Sequence, residues 1–250
     1  EITSTIQTAL DAYQKNDVET AEAICKQILE HAPRDPRALD LRGLTAKAKG
    51  ELDQAIKYLQ LALDVKPQEV TFHLHLAGTL MQAGRNDEAV AAYRRAISLA
   101  PDVWSIHFEL GGLLRSMQRR EEAIVSFERA IAIEPKTAKA YNALAGLRME
   151  LMRWADAERS LRKAIELKPD YMAAYNNLGQ CLQFQGRVQE AIPCYQKALE
   201  LDPNCRQAQE NLAAAQIASQ TITESSRACQ GTARNVDERS LAELALAAAR

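Results

Sequence analysis

Hydrophobic and small residues along this chain recur on a grid of 34 residues. The stretches ILEHAP (28–33), ALDVKP (62–67), AISLAP (96–101), AIAIEP (130–135), AIELKP (164–169) and ALELDP (198–203) each read as a helix end followed by a proline stop. Their prolines, at 33, 67, 101, 135, 169 and 203, are separated by 34 every time. That period is the length of a helix–turn–helix unit. Placing the proline at position 32 makes the units begin at Ile2, Pro36, Val70, Trp104, Ala138 and Met172. Position 20 is then alanine in all six units (21, 55, 89, 123, 157, 191), and position 8 is Ala9, Gly43, Ala77, Gly111, Ala145 and Gly179. Two helices approach closely only where neither carries a bulky side chain at the crossing. Large residues fill the space beside it: Leu76, Leu110, Leu144 and Leu178 at position 7, and Leu59, Tyr93, Phe127, Leu161 and Tyr195 at position 24.

The turn inside each unit falls at position 15. Gly50, Gly84 and Gly186 suit the left-handed conformation that ends a helix, and Asn16 is the next-best residue there. Gln118 and Met152 depart from this choice, so their turns are predicted to differ. Asp102, Asp170 and Asn204, next to the prolines, are expected to cap the helices that follow. Pro193 lies inside a predicted helix without the N–H that the helix would use, which predicts a late or kinked start there.

The sixth unit reads Tyr175-x2-Leu178-Gly179, then Ala191-x3-Tyr195, then Pro203, and is similar to the tetratricopeptide repeat signature. The resemblance covers 2–217. It implies an all-α, right-handed superhelical solenoid of six repeats (2–35, 36–69, 70–103, 104–137, 138–171, 172–205) with a capping helix at 206–217. After Ile217 the register is lost. Residues 218–237, rich in Ser, Thr and Gln, read as a linker, and 238–250 as a helix that could open a truncated region.

Composition narrows the function classes. With 47% hydrophobic and 26% charged residues a packed core is expected, and a net charge of −2 lacks the basic footprint of a nucleic-acid binder. Five cysteines at irregular spacing (25, 181, 194, 205, 229) suggest neither a zinc site nor a disulfide framework, and read as free thiols of a reducing, cytoplasmic compartment. No apolar run approaches the ~18 residues that span a bilayer. A start at Glu1, without methionine, reads as a processed or excised segment. No phosphate loop, HExxH, EF-hand or GxSxG pattern occurs, so no catalytic residues and no cofactor are assigned. His73, His75 and His107 admit two readings, a metal site shared by two units or imidazoles tolerated at a helix crossing; the second is preferred because no carboxylate or cysteine ligand recurs with them. Asp and Glu are assigned mostly to solvent-facing helix surfaces.

The resemblance also implies that positions 2, 5, 6, 9, 12 and 13 of each first helix face a concave groove. Apolar entries there include Ile6, Leu10, Leu44, Leu74, Phe108, Met149 and Phe184. Gly78, Gly112 and Gly146 occupy position 9 of three consecutive repeats, either to open a channel for a ligand backbone or to let helices pack closely. Asn142 and Asn176 stand at position 5, and Asn177 and Asn211 at position 6; each amide offers a donor and an acceptor for an extended peptide, or for a crosslink between repeats. Asparagines at position 6 resemble the ladder of O-GlcNAc transferase repeats, although Gln7, Leu41, His75, Glu109 and Ala143 do not match it. The cationic clamp of chaperone-tail-binding relatives is absent. The expected peptide site therefore comprises Phe108, Gly112, Arg115, Lys139, Asn142, Gly146, Met149, Asn176, Asn177, Gln180, Phe184 and Asn211. RNA binding is disfavoured, because Arg37, Lys47, Arg115 and Lys139 are offset by Asp40, Glu109, Glu150 and Glu210. The expected function is a non-catalytic scaffold that binds a protein or peptide, with no nucleic-acid partner and no membrane insertion. The alternative is the substrate-docking arm of a glycosyltransferase- or sulfotransferase-type enzyme.

Overall fold

A computed structural model describes residues 2–221 and 223. The linker and last helix expected over 218–250 lie outside the described residues, apart from 218–221 and 223. Six first helices, each 13 residues long, are α1 (Ile2–Gln14), α3 (Pro36–Ala48), α5 (Val70–Gln82), α7 (Trp104–Ser116), α9 (Ala138–Glu150) and α11 (Met172–Phe184). They alternate with six second helices of 14 residues: α2 (Val18–His31), α4 (Leu52–Val65), α6 (Asn86–Leu99), α8 (Arg120–Ile133), α10 (Trp154–Leu167) and α12 (Val188–Leu201). A further helix runs over 206–221, and the described residues contain no strand. The helices divide into two compact units, Glu1–Lys136 with α1–α8 and Thr137–Arg250 with α9–α12 and helix 206–221.

Packing inside each unit follows the small-residue grid. All six position-20 alanines are fully buried. A Cβ built on Gly43 would stand 2.7 Å from Leu59, one on Gly111 2.8 Å from Phe127, and one on Gly179 2.5 Å from Tyr195. The close contact of each helix pair is thus position 8 against position 24. In the first unit Ala9, Cys25 and Leu41 form one core cluster, and Leu39, Ala62 and Phe72 another. The second unit's core runs from Ala145 through Leu161, Leu178 and Tyr195 to Ala215, so helix 206–221 covers the apolar face of the last repeat. Burial raises the Tyr195 hydroxyl above its usual range, and that hydroxyl donates to Gln183 Oε1 at 2.9 Å. Cys25, Cys181, Cys194 and Cys205 are free thiols; burial pushes Cys25 up to about 11, out of the reactive thiolate range.

Three expectations are corrected. Gln118 (φ 61°) and Met152 (φ 57°) adopt the left-handed conformation taken by Asn16 and the turn glycines, so their turns do not differ. Packing of both flanking helices sets the turn, at a cost of ~1 kcal/mol for a side chain at that φ. Asp102 and Asp170 do not cap: the cap positions are Val103 and Tyr171, without side-chain bonds, and among the caps of α2–α12 only Asp17 and Asp35 bond through their side chains. Asn204 instead donates its own backbone N–H to Asp202 Oδ1. Helix α12 begins at Val188, in register with its counterparts, because Val188, Ala191 and Tyr195 pack in the core on either side of exposed Pro193.

The described acidic residues lie mostly on exposed or half-exposed surfaces, as expected, but three are buried: Glu22, Asp40 and Glu158. Glu22, at position 21 of the first repeat, holds Arg42 and Lys26 at 2.8 Å each and also bonds Lys49. Bonds from Lys26 and Lys49, with the Arg42 charge, outweigh burial and hold its carboxyl at about 2. At the same position of the fifth repeat, Glu158 receives Arg187 at 2.9 Å, Arg162 at 2.6 Å and Gln185 at 3.0 Å. Burial pushes Glu158 up, but bonds from Gln185 and Arg187 and the Arg162 charge leave it below the usual range. These groups tie one repeat to the next.

Candidate functional site

Side chains at positions 5 and 6 of the first helices meet in pairs across consecutive repeats. In the second unit Asn177 Nδ2 donates to Asn142 Oδ1 at 3.0 Å, and Asn211 Nδ2 to Asn176 Oδ1 at 3.0 Å. In the first unit the same slot holds Asp40 and His75, with Nδ1 at 2.8 and 2.9 Å from the two carboxylate oxygens. The asparagines therefore crosslink repeats, and Asn176 is buried in doing so. Each amide has two N–H donors and a two-lone-pair oxygen, so one bond per pair does not exhaust them. Burial raises the Tyr171 hydroxyl, while its bond to Asn142 works the other way.

The glycines separate into two groups. Those at position 8 are required by packing, as described above. At position 9, a Cβ on Gly112 would meet nothing within 4 Å, and one on Gly78 only Lys47 Nζ at 3.3 Å, the movable end of a long chain. Close helix packing therefore does not account for Gly78 or Gly112. Phe108 is partly buried, its ring 6.0 Å from Trp104 and 5.6 Å from Phe127. Arg115 is half-buried, Lys139 exposed, and Gly146 and Gln180 half-buried. Met149 packs on the second unit's core. Phe184 is 68% exposed and stacks on Trp154 at 5.0 Å. Of the twelve expected residues, then, Phe108, Gly112 and Arg115 belong to the first unit and the rest to the second, where the four asparagines are in direct contact in two pairs.

A cleft of about 270 Å³ between α1, α3 and α5 was not singled out from sequence. Ile6, Leu10, Leu41 and Leu44 line it beside Asp40 and His75, all at positions 5, 6 and 9. The signal was available in Ile6, Leu10 and Leu44, but nothing in the pattern showed that they surround one hollow. The histidines at position 4 form links of their own: Nε2 of His73 bonds the Pro67 carbonyl and that of His107 the Pro101 carbonyl, each at 2.9 Å, and Gln209 does the same to Pro203 at 2.8 Å. No group of three His, Cys, Asp or Glu is arranged to hold a metal among the described residues. No described helix is long and apolar enough to cross a membrane.

Tetratricopeptide repeat family models match residues 6–70, 41–103 and 74–142, together more than half of the chain, and residues 173–205. The chain belongs to the tetratricopeptide repeat family. The MamA protein crystal structure is 27% identical, with a TM-score of 0.59 over 64% of this chain and 88% of that one. PilF of Pseudomonas aeruginosa (17% identity, TM-score 0.70, 85% of this chain and 97% of that one) shares the fold. So does YrrB, described as a tetratricopeptide protein with an unusual peptide-binding site (16%, TM-score 0.62, 74% and 96%). No curated protein matches the chain. The tetratricopeptide fold is that of protein–protein interaction scaffolds.

Proposed function

We propose that this chain is a non-catalytic scaffold that binds an extended peptide along the first-helix faces, with the asparagine pairs of α9, α11 and helix 206–221 as the main fastening. The observation that carries the reading is the pairing of Asn142 with Asn177 and of Asn176 with Asn211, spaced one repeat apart. Such amides hold backbone N–H and C=O groups without reading side chains. Met149, Gln180, Phe184, Gly146 and Lys139 supply the surrounding surface on the same unit, and Phe108, Gly112 and Arg115 offer a separate candidate surface on α7 of the first unit. The peptide-binding description of YrrB agrees with this kind of ligand.

Peptides selected from a random phage-displayed library on the full chain provide the test. Asn177→Ala should weaken the selected peptides about tenfold, the equivalent of one buried hydrogen bond. Gly112→Trp should obstruct the open floor without loss of helicity. Glu122→Gln, on second helix α8, is the control. Parent-like binding by both inner-face variants, or loss of binding in the α8 variant, would remove this reading.

A further inference from the structure

Four second helices begin next to an arginine at position 16: Arg85, Arg119, Arg153 and Arg187. Three of these arginines clamp the glutamate three residues on, with Nε to Oε1 distances of 2.6 Å for Arg85–Glu88, 2.7 Å for Arg119–Glu122 and 2.7 Å for Arg187–Glu190. The fifth repeat breaks the pattern. Asp156 replaces the glutamate, and its carboxylate is taken by Arg159 instead. Arg153 is left exposed, with no carboxylate partner among the described residues.

Its neighbours are equally unusual. Met152 precedes it in the left-handed conformation (φ 57°) that three other repeats give to glycine, and is 75% exposed. Trp154 follows, packs on the second unit's core and stacks almost parallel to Phe184, at 11° between planes, and Phe184 itself stays 68% exposed. A shallow recess at this turn is lined by Met152, Arg153, Trp154, Ala155, Asp156 and Gln185, and the Asp156 carboxylate in it is already held by Arg159. Met152 and Phe184 thus place two exposed apolar side chains beside an exposed arginine that has no carboxylate partner among the described residues. Large apolar side chains exposed side by side mark interaction surfaces.

We infer that the turn edge formed by Met152, Arg153, Trp154 and Phe184 is a second binding surface, for a peptide that presents an aromatic side chain next to a carboxylate. The aromatic group packs on the Trp154–Phe184 stack under the flexible Met152 thioether, and the carboxylate takes the planar fork of Arg153. Charge complementarity selects this ligand. The surface offers one cation and no run of them, in a chain of net charge −2, which suits a single carboxylate rather than a phosphate backbone. This surface shares Phe184 with the one proposed above but none of its asparagines, so Arg153→Glu and Asn177→Ala test the two readings separately.

Fluorescence anisotropy on the full chain tests it. The probe is a fluorescein-labelled peptide with one tryptophan between two aspartates in a Gly-Ser background. Comparison ligands replace the aspartates by lysines, or the tryptophan by alanine, and a single-stranded oligonucleotide is run alongside. The parent chain should prefer the acidic-aromatic probe at least fivefold over each alternative. Arg153→Glu should lower its affinity about tenfold and abolish the charge preference, and Phe184→Ala should abolish the aromatic preference. Met152→Gly is the discriminating variant: it relieves the turn and raises Tm, yet should weaken the probe at least threefold. Asn177→Ala should leave this probe unaffected, which separates failure here from failure of the inner-face reading. Equal binding of the three peptides, no binding of any, tighter oligonucleotide binding, or parent-like variants would overturn the proposal. A concentration-dependent dimer abolished by Phe184→Ala would reassign the surface to self-association.

Discussion

The two units fill one geometric slot with different chemistry. Asp40 and His75 meet in the first, whereas Asn142 with Asn177 and Asn176 with Asn211 meet in the second, always between position 5 of one repeat and position 6 of the next. The slot belongs to the backbone repeat, and any complementary donor and acceptor of suitable length can occupy it. The position-21 carboxylates make the same point with a difference in depth. Glu22 neutralises an arginine that is itself buried, Arg42, which also lies 5.2 Å from the Tyr58 ring centre. Glu158 neutralises Arg162 and Arg187, whose side chains retain far more access to water.

The largest expected break in this comparison is Glu22→Gln. It leaves the Arg42 guanidinium buried without its counter-charge and should cost about 2–4 kcal/mol in urea unfolding, against about 1 kcal/mol for Glu158→Gln. The pH dependence has a definite sign. Because the folded state holds the Glu22 carboxyl at about 2, below its ordinary 4.5, its contribution is complete above 4.5 and is lost as pH falls towards about 2. Melting curves across that interval should show the parent losing stability, and the Glu22→Gln variant losing less of it. Equal slopes would show that other carboxylates govern acid unfolding.

Next in size is a contrast between glycines. Gly179→Ala drives a methyl group against the Tyr195 ring and should cost roughly 1–3 kcal/mol. Gly112→Ala meets open space in a helix and should raise stability by up to ~1 kcal/mol. Thermal melts that shift in the same direction for both would contradict the assignment of position 8, and not position 9, as the crossing point.

Smaller still is Asp40→Ala, which removes one inter-repeat link and should cost about 1 kcal/mol. The double replacement of Asp40 and His75 by asparagine rebuilds the second unit's pair in the first. Its stability should lie within about 0.5 kcal/mol of the parent, and a clearly larger loss would mean that the slots are not equivalent.

Much of this architecture was legible in the residues. The 34-residue proline grid placed all six first-helix starts where the structure has them, and the invariant alanines named the crossings. Individual side-chain roles were less legible. Capping by Asp102 and Asp170, a delayed start at Pro193 and distinct turns at Gln118 and Met152 each followed from local preference, and in each case packing of the flanking helices prevailed. Burial of Glu22, Asp40 and Glu158 escaped notice because Arg42, Lys49, His75, Gln185 and Arg187 stand in the next repeat, beyond any local pattern, and only Lys26 and Arg162 lie one turn away.

For the candidate site, sequence alone singled out the four asparagines but left open whether they face a ligand or one another. Only the tertiary structure paired Asn142 with Asn177 and Asn176 with Asn211, and only it gathered Met152, Arg153, Trp154 and Phe184 at one turn edge. The physical reason is the range of the forces involved. Helix periodicity, proline stops and small crossing residues act within one or two turns and repeat in the chain, so they can be read along it. A hydrogen bond between repeats, an unpaired arginine or an exposed ring stack depends on which side chains meet after the helices have packed, and that is decided in three dimensions.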